Sequence, residues 1–351
     1  MPSYIKLGGG NSQVSIAKAI GIILVVVGHA GCPDALNKFI YSFHLPLFFI
    51  LSGYFFKEVT SGEMLWKYVL KKMRKLWLPY VLYCIPFIAL HNVLAPFGFD
   101  GGRLYDVSDY MKHFLGLLCF KGEPSGYFPA FWFLRTLFLS SIILAGCSLV
   151  ISKLKLSKDC MPAILVGMFC IIEMVMVLLS GQVIVKLTLM AVVFLCIGIF
   201  YRIVERRIQY SWILLVVTFL TTFFCSYSFK FTQITEVDGI YLMTYISIAV
   251  IGSLFVMTLS QKIKLHCGLM KRILIYIGNH TMIILALHAI VFKFLNNVIQ
   301  PMIDAPQDSI LNLNLSSYAP WLWIIYSLAG VIVPIMTYRF YEVLKRKIRT
   351  V

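Results

Sequence analysis

The sequence contains few charged residues for its length. Only 13% of its 351 residues are Asp, Glu, Lys or Arg, and 60% are hydrophobic. An average soluble domain is about 25% charged. This shortage of charge leaves no room for a separate soluble domain. We therefore predict an all-α, polytopic membrane protein, with residues 1–351 forming one integral-membrane domain.

Acidic residues are especially scarce, at 15 against 31 Lys and Arg, which gives a net charge of +16. A basic chain could bind nucleic acid, but the apolar content argues against that partner. The cations fall between the apolar runs, as they do in the cytoplasmic loops of membrane proteins. We therefore expect the lipid bilayer, and no nucleic acid, as a partner.

Paired cysteines, a signal-peptide cleavage site and internal repeats are also lacking. The nine cysteines form no C-x-x-C pair and mostly lie within apolar runs, so they resemble small hydrophobic residues. We expect neither a disulfide framework nor a metal site. No A-x-A-like site follows the first apolar run, so no cleaved signal peptide is expected. The absence of a repeat gives no sign of the inverted halves of many secondary transporters.

Long apolar runs are what the sequence has in abundance. A membrane-spanning helix needs about 20 mostly apolar residues. Runs of this kind predict about ten transmembrane helices, near 13–31, 37–56, 76–95, 130–151, 161–180, 183–201, 211–228, 239–260, 271–294 and 320–341.

The charges of the connecting segments alternate along the chain. Every second segment, beginning with 1–12 and 57–75, collects Lys and Arg, and the segments between them hold most of the loop acids. The positive-inside rule then places both termini in the cytoplasm. We call the two faces of the bundle the basic side and the acidic side. Two acidic-side loops, 96–129 and 295–319, are long enough to suggest a function or disorder.

Ionisable groups within the first run are the leading functional candidates. Lys18 and His29 are eleven residues apart, so they lie on one helix face about 17 Å apart along the axis. If Lys18 marks the entry edge, His29 lies deep in the bilayer, where an ionisable residue suggests a function. Two alternatives stay open. Lys18 can simply extend to the headgroups, and His29 can be a hydrogen-bonded packing residue.

The second run, F-I-Y-S-F-H-L-P-L-F-F-I-L-S-G-Y-F-F-K, contains His44 and Pro46 near its acidic-side end. Pro46 removes a backbone donor, and the Ser52-Gly53 step allows another helix to approach closely. A kinked packing helix explains this pattern as well as a functional site does.

A basic stretch, K-K-M-R-K-L-W-L-P-Y, leads into the third run. Lys71 and Arg74 share a helix face at a spacing of three residues. Such a pair can bind the phosphates of a nucleotide-like cofactor or anchor the chain to anionic lipids, and charge alone favours the lipids.

The remaining ionisable and polar groups at membrane depth come from four later runs. Arg135 follows Trp132 in the fourth run and needs a partner or a water-filled cavity there. The ninth run, I-G-N-H-T-M-I-I-L-A-L-H, contributes Asn279, His280 and His288. The fifth run contributes the acid Glu173, and the sixth run contributes Lys186.

Taken in order, these motifs resemble the acyltransferase-3 superfamily of integral-membrane acyltransferases, and most of all its fucose 4-O-acetylase-related branch. The resemblance covers nearly the whole chain. It depends on the basic residue eleven positions before His29, F-H-L-P-L-F-F-I-L-S-G-Y, the basic stretch before L-P-Y, W-F-L in the fourth run and L-A-L-H in the ninth.

The resemblance implies a bundle of about ten helices that transfers acyl groups, mostly acetyl, from acyl-CoA to sugar hydroxyls. His29 matches the essential histidine of the family, Lys18 its basic partner, and Lys71 with Arg74 the basic pair at the cofactor entrance. Two positions depart from the family pattern. Ser15 stands where many members have Asp, and Leu137 stands where many O-acetylases have Glu.

These observations predict an acetyl-CoA-dependent O-acetyltransferase of the bacterial inner membrane that modifies a cell-surface or exported glycan, or a lipid-linked sugar. His29 would act as general base. Candidates for sugar binding are His44, Trp132, Arg135, His288 and Asn279. The alternatives are a transport or export component for a polysaccharide or small solute, without chemistry, and a structural partner in polysaccharide assembly.

Overall fold

The computed structural model describes residues 11–123, 127–154, 167–168, 171–172, 174–175, 183–228, 234, 237 and 241–349. Helices dominate these residues, and no strand occurs among them. Seven of the described helices are long and apolar enough to span a membrane, and a bent pair makes an eighth candidate. The protein is thus an all-α, multi-pass membrane protein, as predicted.

The described α-helices, numbered in chain order, are α1 Ser12–His29, α2 Asp34–Tyr41, α3 His44–Tyr54, α4 Gly62–Lys72, α5 Leu78–Ala89, α6 His91–Leu94, α7 Val107–Leu117, α8 Trp132–Lys153, α9 Val183–Val204, α10 Trp212–Ser228, α11 Leu242–His266, α12 Gly268–Asn279, α13 Thr281–Ile299 and α14 Leu322–Arg349. A π-helical turn, Met73–Trp77, joins α4 to α5.

Nine of the ten predicted runs coincide with described helices. The tenth, 161–180, lies mostly outside the described residues and includes Glu173. Four of the nine differ from a single spanning helix. Residues 76–95 bend by 65° between α5 and the helical segment His91–Phe97, and α10 has only 17 residues. The run 37–56 is divided between α2 and α3, and 271–294 is broken at His280 between α12 and α13. The count of ten spans and the side of each terminus stay predictions.

Helix α1 lies at the centre of the bundle, in contact with α2, α3, α11, α12, α13 and α14. The side chain of Asn11 caps its first turn by accepting from the N–H of Gln13 at 3.1 Å. Apolar residues on all sides of the helix, among them Ile16, Ile22 and Val26, are fully buried. A helix that is hydrophobic all round belongs in the interior, which explains its position.

Glycines bring α3 and α9 into backbone contact. A Cβ at Gly53 would lie 1.9 Å from the carbonyl oxygen of Leu195, and one at Gly198 would lie 2.0 Å from that of Ile50. Only glycine fits at either position. The Ser52-Gly53 step therefore allows the close helix approach that the sequence predicts, because small residues permit tight packing where no hydrophobic effect operates between helices.

The second predicted run consists of two helices, α2 and α3, which meet at Phe43 with φ of −145°. Pro46 lies in the first turn of α3, where its missing N–H has no helical acceptor to lose. The break places His44 at the start of α3, close to the end of α1.

Candidate active site

Two histidines from different helices form a hydrogen-bonded pair. His29 is the last residue of α1, and His288 lies in the middle of α13. The Nδ1 atom of His29 is 2.8 Å from Nε2 of His288. His288 is completely buried, whereas His29 keeps part of its surface accessible. Of the two rings, His29 is therefore the one that a substrate can reach.

The hydrogen bonds determine which nitrogen of each neutral ring carries the proton. His288 Nδ1 is 3.0 Å from the carbonyl oxygen of Ile284, which can only accept, so Nδ1 is the donor. Nε2 of His288 is then an acceptor, and Nδ1 of His29 donates to it. This arrangement leaves Nε2 of His29 with a free lone pair, which is the form a general base requires.

A cavity of about 490 Å³ leads toward this pair. On α1 it is lined by Lys18, Ile22 and Val25, and His29 is the next position on the same face. On α13 it is lined by Thr281 and Leu285, and the next position there is His288. The cavity thus ends about one helical turn, roughly 5 Å, before the histidine pair. Its other walls are mostly apolar and include Leu45, Phe48, Leu51, Phe133, Leu134 and Leu137.

Four lysines surround the basic-side end of the cavity: Lys18, Lys71, Lys72 and Lys75. The Lys72 ammonium lies 3.4 Å from the hydroxyl of Ser52 and 5.5 Å from the ring centre of Tyr68. Within the described part of the chain, none of the four pairs with a carboxylate. A cluster of uncompensated ammonium groups around an apolar cavity is suited to an anion with an extended tail. We call this cluster the lysine mouth.

The lysine mouth includes one predicted residue of the basic stretch and two that sequence reasoning missed. Lys71 lines the cavity, as do Lys72 and Lys75, whereas Arg74 does not. Helix spacings of three and of four both share a face. Arg74 and Lys75 both lie in the π-helical turn, so the packing of that turn in the bundle selects Lys75 over Arg74. The π-helical turn begins directly after Lys72, and such turns are frequent at functional sites.

Asn279 and Ser15 meet at the first turn of α1. The Ser15 hydroxyl donates to the side-chain carbonyl of Asn279 at 3.2 Å. At Gly278 a Cβ would lie 1.8 Å from the carbonyl oxygen of Ser15, so only glycine allows this helix crossing. Asn279 is therefore near the Lys18 end of α1, far from His29, where its hydrogen bond to Ser15 joins the two crossing helices.

The acidic-side end of the histidine pair is covered by the loop that precedes α14. Asn314 donates from its side-chain amide to the carbonyl oxygen of His29 at 2.9 Å, and the Ser316 hydroxyl donates to that of Ala30 at 2.7 Å. Lys293, buried in α13, donates to the carbonyl oxygens of Leu311 and Asn312 at 2.6 and 2.9 Å. One loop segment thus holds both helices of the pair. Sequence analysis missed Lys293, although a lysine five residues after His288 in an apolar run was the available signal.

The other predicted sugar-binding residues lie in two places. His44 is buried, is 2.8 Å from the carbonyl oxygen of Ile40, and packs its ring edge-on against Tyr41 at 4.8 Å. Tyr41 in turn packs against Gly28, so His44 neighbours the histidine pair through Tyr41.

Trp132 and Arg135 lie at the start of α8, where the Arg135 guanidinium donates to the carbonyl oxygen of Phe120 at 3.0 Å. The structure brings His29 and His288 together, and it leaves neither His288 nitrogen free to bind a sugar.

A comparison with protein-family models shows what the chain is similar to. The model of the acyltransferase-3 family, described as an acyltransferase domain, matches residues 11–339. The matched range includes the histidine pair, the lysine mouth and the loop that covers the pair. No curated protein and no solved structure matches the chain.

Proposed function

Because the chain belongs to the acyltransferase-3 family, we propose that it transfers an acyl group, most simply acetyl, from acyl-CoA to a sugar hydroxyl, with His29 as general base. One observation carries the proposal. The free Nε2 of His29 lies just beyond the inner end of a cavity whose other end is lined by four lysines. The family assignment favours this enzyme over a transport or assembly component.

The donor binds at the lysine mouth. The phosphates of CoA are dense in negative charge, and charge-assisted hydrogen bonds from Lys18, Lys71, Lys72 and Lys75 hold them. The long, flexible pantetheine arm then extends along the apolar cavity toward the histidine pair. This placement gives Lys18 a role in binding, because it lies about 17 Å from His29 along α1 and is too far away to exchange a proton with it.

The acyl-transfer step needs only His29, the acyl-CoA and the acceptor hydroxyl, and it returns His29 to its starting form. The acceptor hydroxyl gives its proton to Nε2 of His29 while its oxygen bonds to the thioester carbonyl carbon. The carbon–sulfur bond then breaks, and the departing CoA thiolate takes the proton back from His29. The products are the O-acyl sugar and CoA, and the histidine returns to its starting form.

His288 acts as a positioning residue in this scheme. Its Nδ1 donates to the carbonyl oxygen of Ile284, so its Nε2 accepts from Nδ1 of His29. This bond keeps the lone pair on Nε2 of His29 directed away from His288. The same arrangement, a base oriented by a third group, recurs in many enzymes that transfer acyl groups.

The acceptor is a glycan or a lipid-linked sugar that approaches from the acidic side, and the enzyme works in the bacterial inner membrane. His44 is the predicted sugar-binding residue nearest to the histidine pair. Mass spectrometry of surface glycans from cells with and without the protein identifies the acceptor by a mass difference of one acetyl group.

The decisive experiment measures acyl transfer by the purified protein in lipid nanodiscs. Radiolabelled acetyl-CoA is supplied with a panel of sugar acceptors, and both labelled product and released CoA thiol are quantified. The expected result is label transfer that depends on the acceptor and is lost in His29→Gln. Absence of both thiol release and label transfer, from protein that is folded and tested with the acceptor identified in cells, would support the transport or assembly alternatives instead.

A further inference from the structure

The stretch from Arg103 to Glu123, together with Tyr127, belongs to the long acidic-side loop 96–129 and packs against α5 and the helical turns at its two ends. We call these residues the α7 hairpin. Near its start, Tyr105 N–H donates to the side-chain carbonyl of Asn92 at 2.7 Å. Near its far end, the indole N–H of Trp77 donates to the carbonyl oxygen of Leu117 at 3.1 Å. The hairpin therefore follows α5 over most of its length.

Tyr127 lies back at the level at which the hairpin starts. Its hydroxyl is 3.0 Å from Nδ1 of His91, and His91 is also bonded through Nε2 to the carbonyl oxygen of Arg103 at 2.8 Å. Between the levels of Trp77 and His91, α5 runs for 12 residues, which corresponds to about 18 Å at 1.5 Å per helical residue. A bilayer core is about 30 Å thick, so the hairpin extends through a large part of that depth.

The turn of the hairpin is satisfied by polar groups of the spanning helices. The Tyr80 hydroxyl accepts from the N–H of Gly122 at 2.9 Å and donates to the carboxylate of Glu123. Arg135 donates to the carbonyl oxygen of Phe120, a residue with a positive φ of 54°. Non-helical backbone at membrane depth is tolerated only where protein groups satisfy it. Trp77, Tyr80 and Arg135 supply such groups, so the half-buried arginine of α8 has an acceptor in the hairpin.

The side of α7 that faces away from the protein carries an apolar stripe. The exposed apolar side chains of α7 and of the residues beside it fall within about 100° of the helix circumference, at 100° per residue. They are Leu104, Val107, Met111, Phe114, Leu115 and Leu118, all between 41% and 76% exposed. The exposed Ser108 and Lys112 border this stripe on one side. Helix α5, on which the hairpin packs, exposes its own stripe of Leu78, Leu82 and Ile85. Two adjacent apolar stripes match a lipid surface better than they match water.

We propose that the α7 hairpin is a re-entrant element of the membrane domain, which enters the bilayer from the acidic side, packs its apolar stripe against lipid acyl chains and returns to the same side. The occupant of the stripe is lipid because the surface adjoins the exposed apolar stripe of α5, which belongs to the bent pair that makes the eighth candidate span. Lys112 and Lys121 are the two lysines of the hairpin. Lys112 lies 3.9 Å from the carboxylate of Asp109, and Lys121 lies at the turn of the hairpin.

The test uses spin labels on the full-length protein in lipid vesicles. Single cysteines replace Val107, Met111 or Leu115 in a background without native cysteines. Leu82→Cys serves as the lipid-facing control and Asp308→Cys as the aqueous control, because both residues are exposed. Collisions with oxygen report lipid, and collisions with a water-soluble nickel complex report water. The expected result is that all three hairpin labels match Leu82→Cys and lie progressively deeper from 107 to 115.

Two results would overturn the proposal. Strong nickel collisions at Met111→Cys and Leu115→Cys, as at Asp308→Cys, would mean that the stripe faces water. Weak collisions with both reagents would mean that protein, such as a second copy of the chain, covers it. Three label positions are used so that local disturbance at one site cannot decide the outcome, and the result does not depend on which acyl donor or acceptor is used.

Discussion

Lysines lie at both ends of the candidate active site, in opposite electrostatic settings. At the lysine mouth, Lys71, Lys72 and Lys75 face a cavity without a carboxylate partner among the described residues. Beyond the histidine pair, Lys293 is 2% exposed and is surrounded by carbonyl oxygens from two loops, those of Gly98, Leu311 and Asn312. The first group is available to a ligand, and the second is already saturated.

The difference shows that lysine has a binding role at the lysine mouth and a structural role beyond the histidine pair. A buried ammonium without partners is costly, so a lysine in an apolar helix must either find acceptors or open onto a cavity. Lys293 donates to carbonyl oxygens of the two loops that contain Gly98 and Leu311, and these hydrogen bonds hold the loops against α13. The mouth lysines open onto the cavity. Both settings can be tested by substitution, and the histidine pair between them supplies the reference for activity.

The largest expected effect is at the histidine pair. His29→Ala should reduce turnover about 10²–10⁴-fold, because a general base contributes that much. His29→Gln keeps polarity and approximate volume but takes up no proton at neutral pH, so it should be equally inactive. Turnover is measured with acyl-CoA and the acceptor, beside acyl-CoA affinity and thermal stability, which should both stay close to those of the unaltered protein.

Recovery of activity in His29→Gln would contradict the base assignment and make His29 a hydrogen-bonding residue. The unaltered protein adds a second check, because acidification converts imidazole to imidazolium, which accepts no proton. Its rate should therefore fall in acid. A flat acid profile, with chemistry shown to limit the rate, would exclude His29 as the titrating base.

The second-largest expected effect is a loss of stability when Lys293 is replaced. Lys293→Met keeps an apolar stem but leaves buried carbonyl oxygens without a donor, each at a cost of about 1–3 kcal/mol. The unfolding temperature in detergent should fall by about 5 °C or more. Lys67→Met is the control, because the Lys67 side chain is 72% exposed and should change little. An unchanged unfolding temperature in Lys293→Met would contradict the claim that Lys293 stabilises the protein by donating to the loop carbonyl oxygens.

A smaller effect on donor binding is expected at the lysine mouth. Lys71→Ala with Lys75→Ala should raise KM for acyl-CoA about tenfold or more, because two charge-assisted contacts to phosphate are lost. Arg74→Ala is the control, since it removes one positive charge from the same stretch at a residue that does not line the cavity. KM for the acceptor and the unfolding temperature should not move in either variant. An equal rise in KM in the Arg74 variant would indicate a general electrostatic or lipid-anchoring role.

The smallest expected effect comes from salt. The Debye length shortens from about 30 Å at 0.01 M to about 8 Å at 0.15 M, which weakens attraction between CoA phosphates and the partly exposed mouth. KM for acyl-CoA should rise by about two- to threefold across this range, while the unfolding temperature, which depends on the shielded Lys293, stays constant. A salt-independent KM would show that the lysines of the mouth do not contact the phosphates.

Membrane character and the main helices follow directly from the sequence. Apolar runs of spanning length coincide with helices α1, α8, α9, α11 and α14, because in a bilayer the backbone must satisfy its own hydrogen bonds. The spacing of Lys18 and His29 likewise predicts one shared face, and the cavity wall follows that face from Lys18 to Val25. Here the helical period alone decides, so local sequence is sufficient.

Four other features depend on tertiary structure. The pairing of His29 with His288 joins residues 259 positions apart, and no periodicity relates them. The choice of Lys75 over Arg74 at the mouth depends on how the π-helical turn that contains both residues packs in the bundle. The burial of Lys293 and the course of the α7 hairpin depend on carbonyl and side-chain groups that distant segments bring together. Helical periodicity acts within one element, whereas these contacts exist only after the elements have packed.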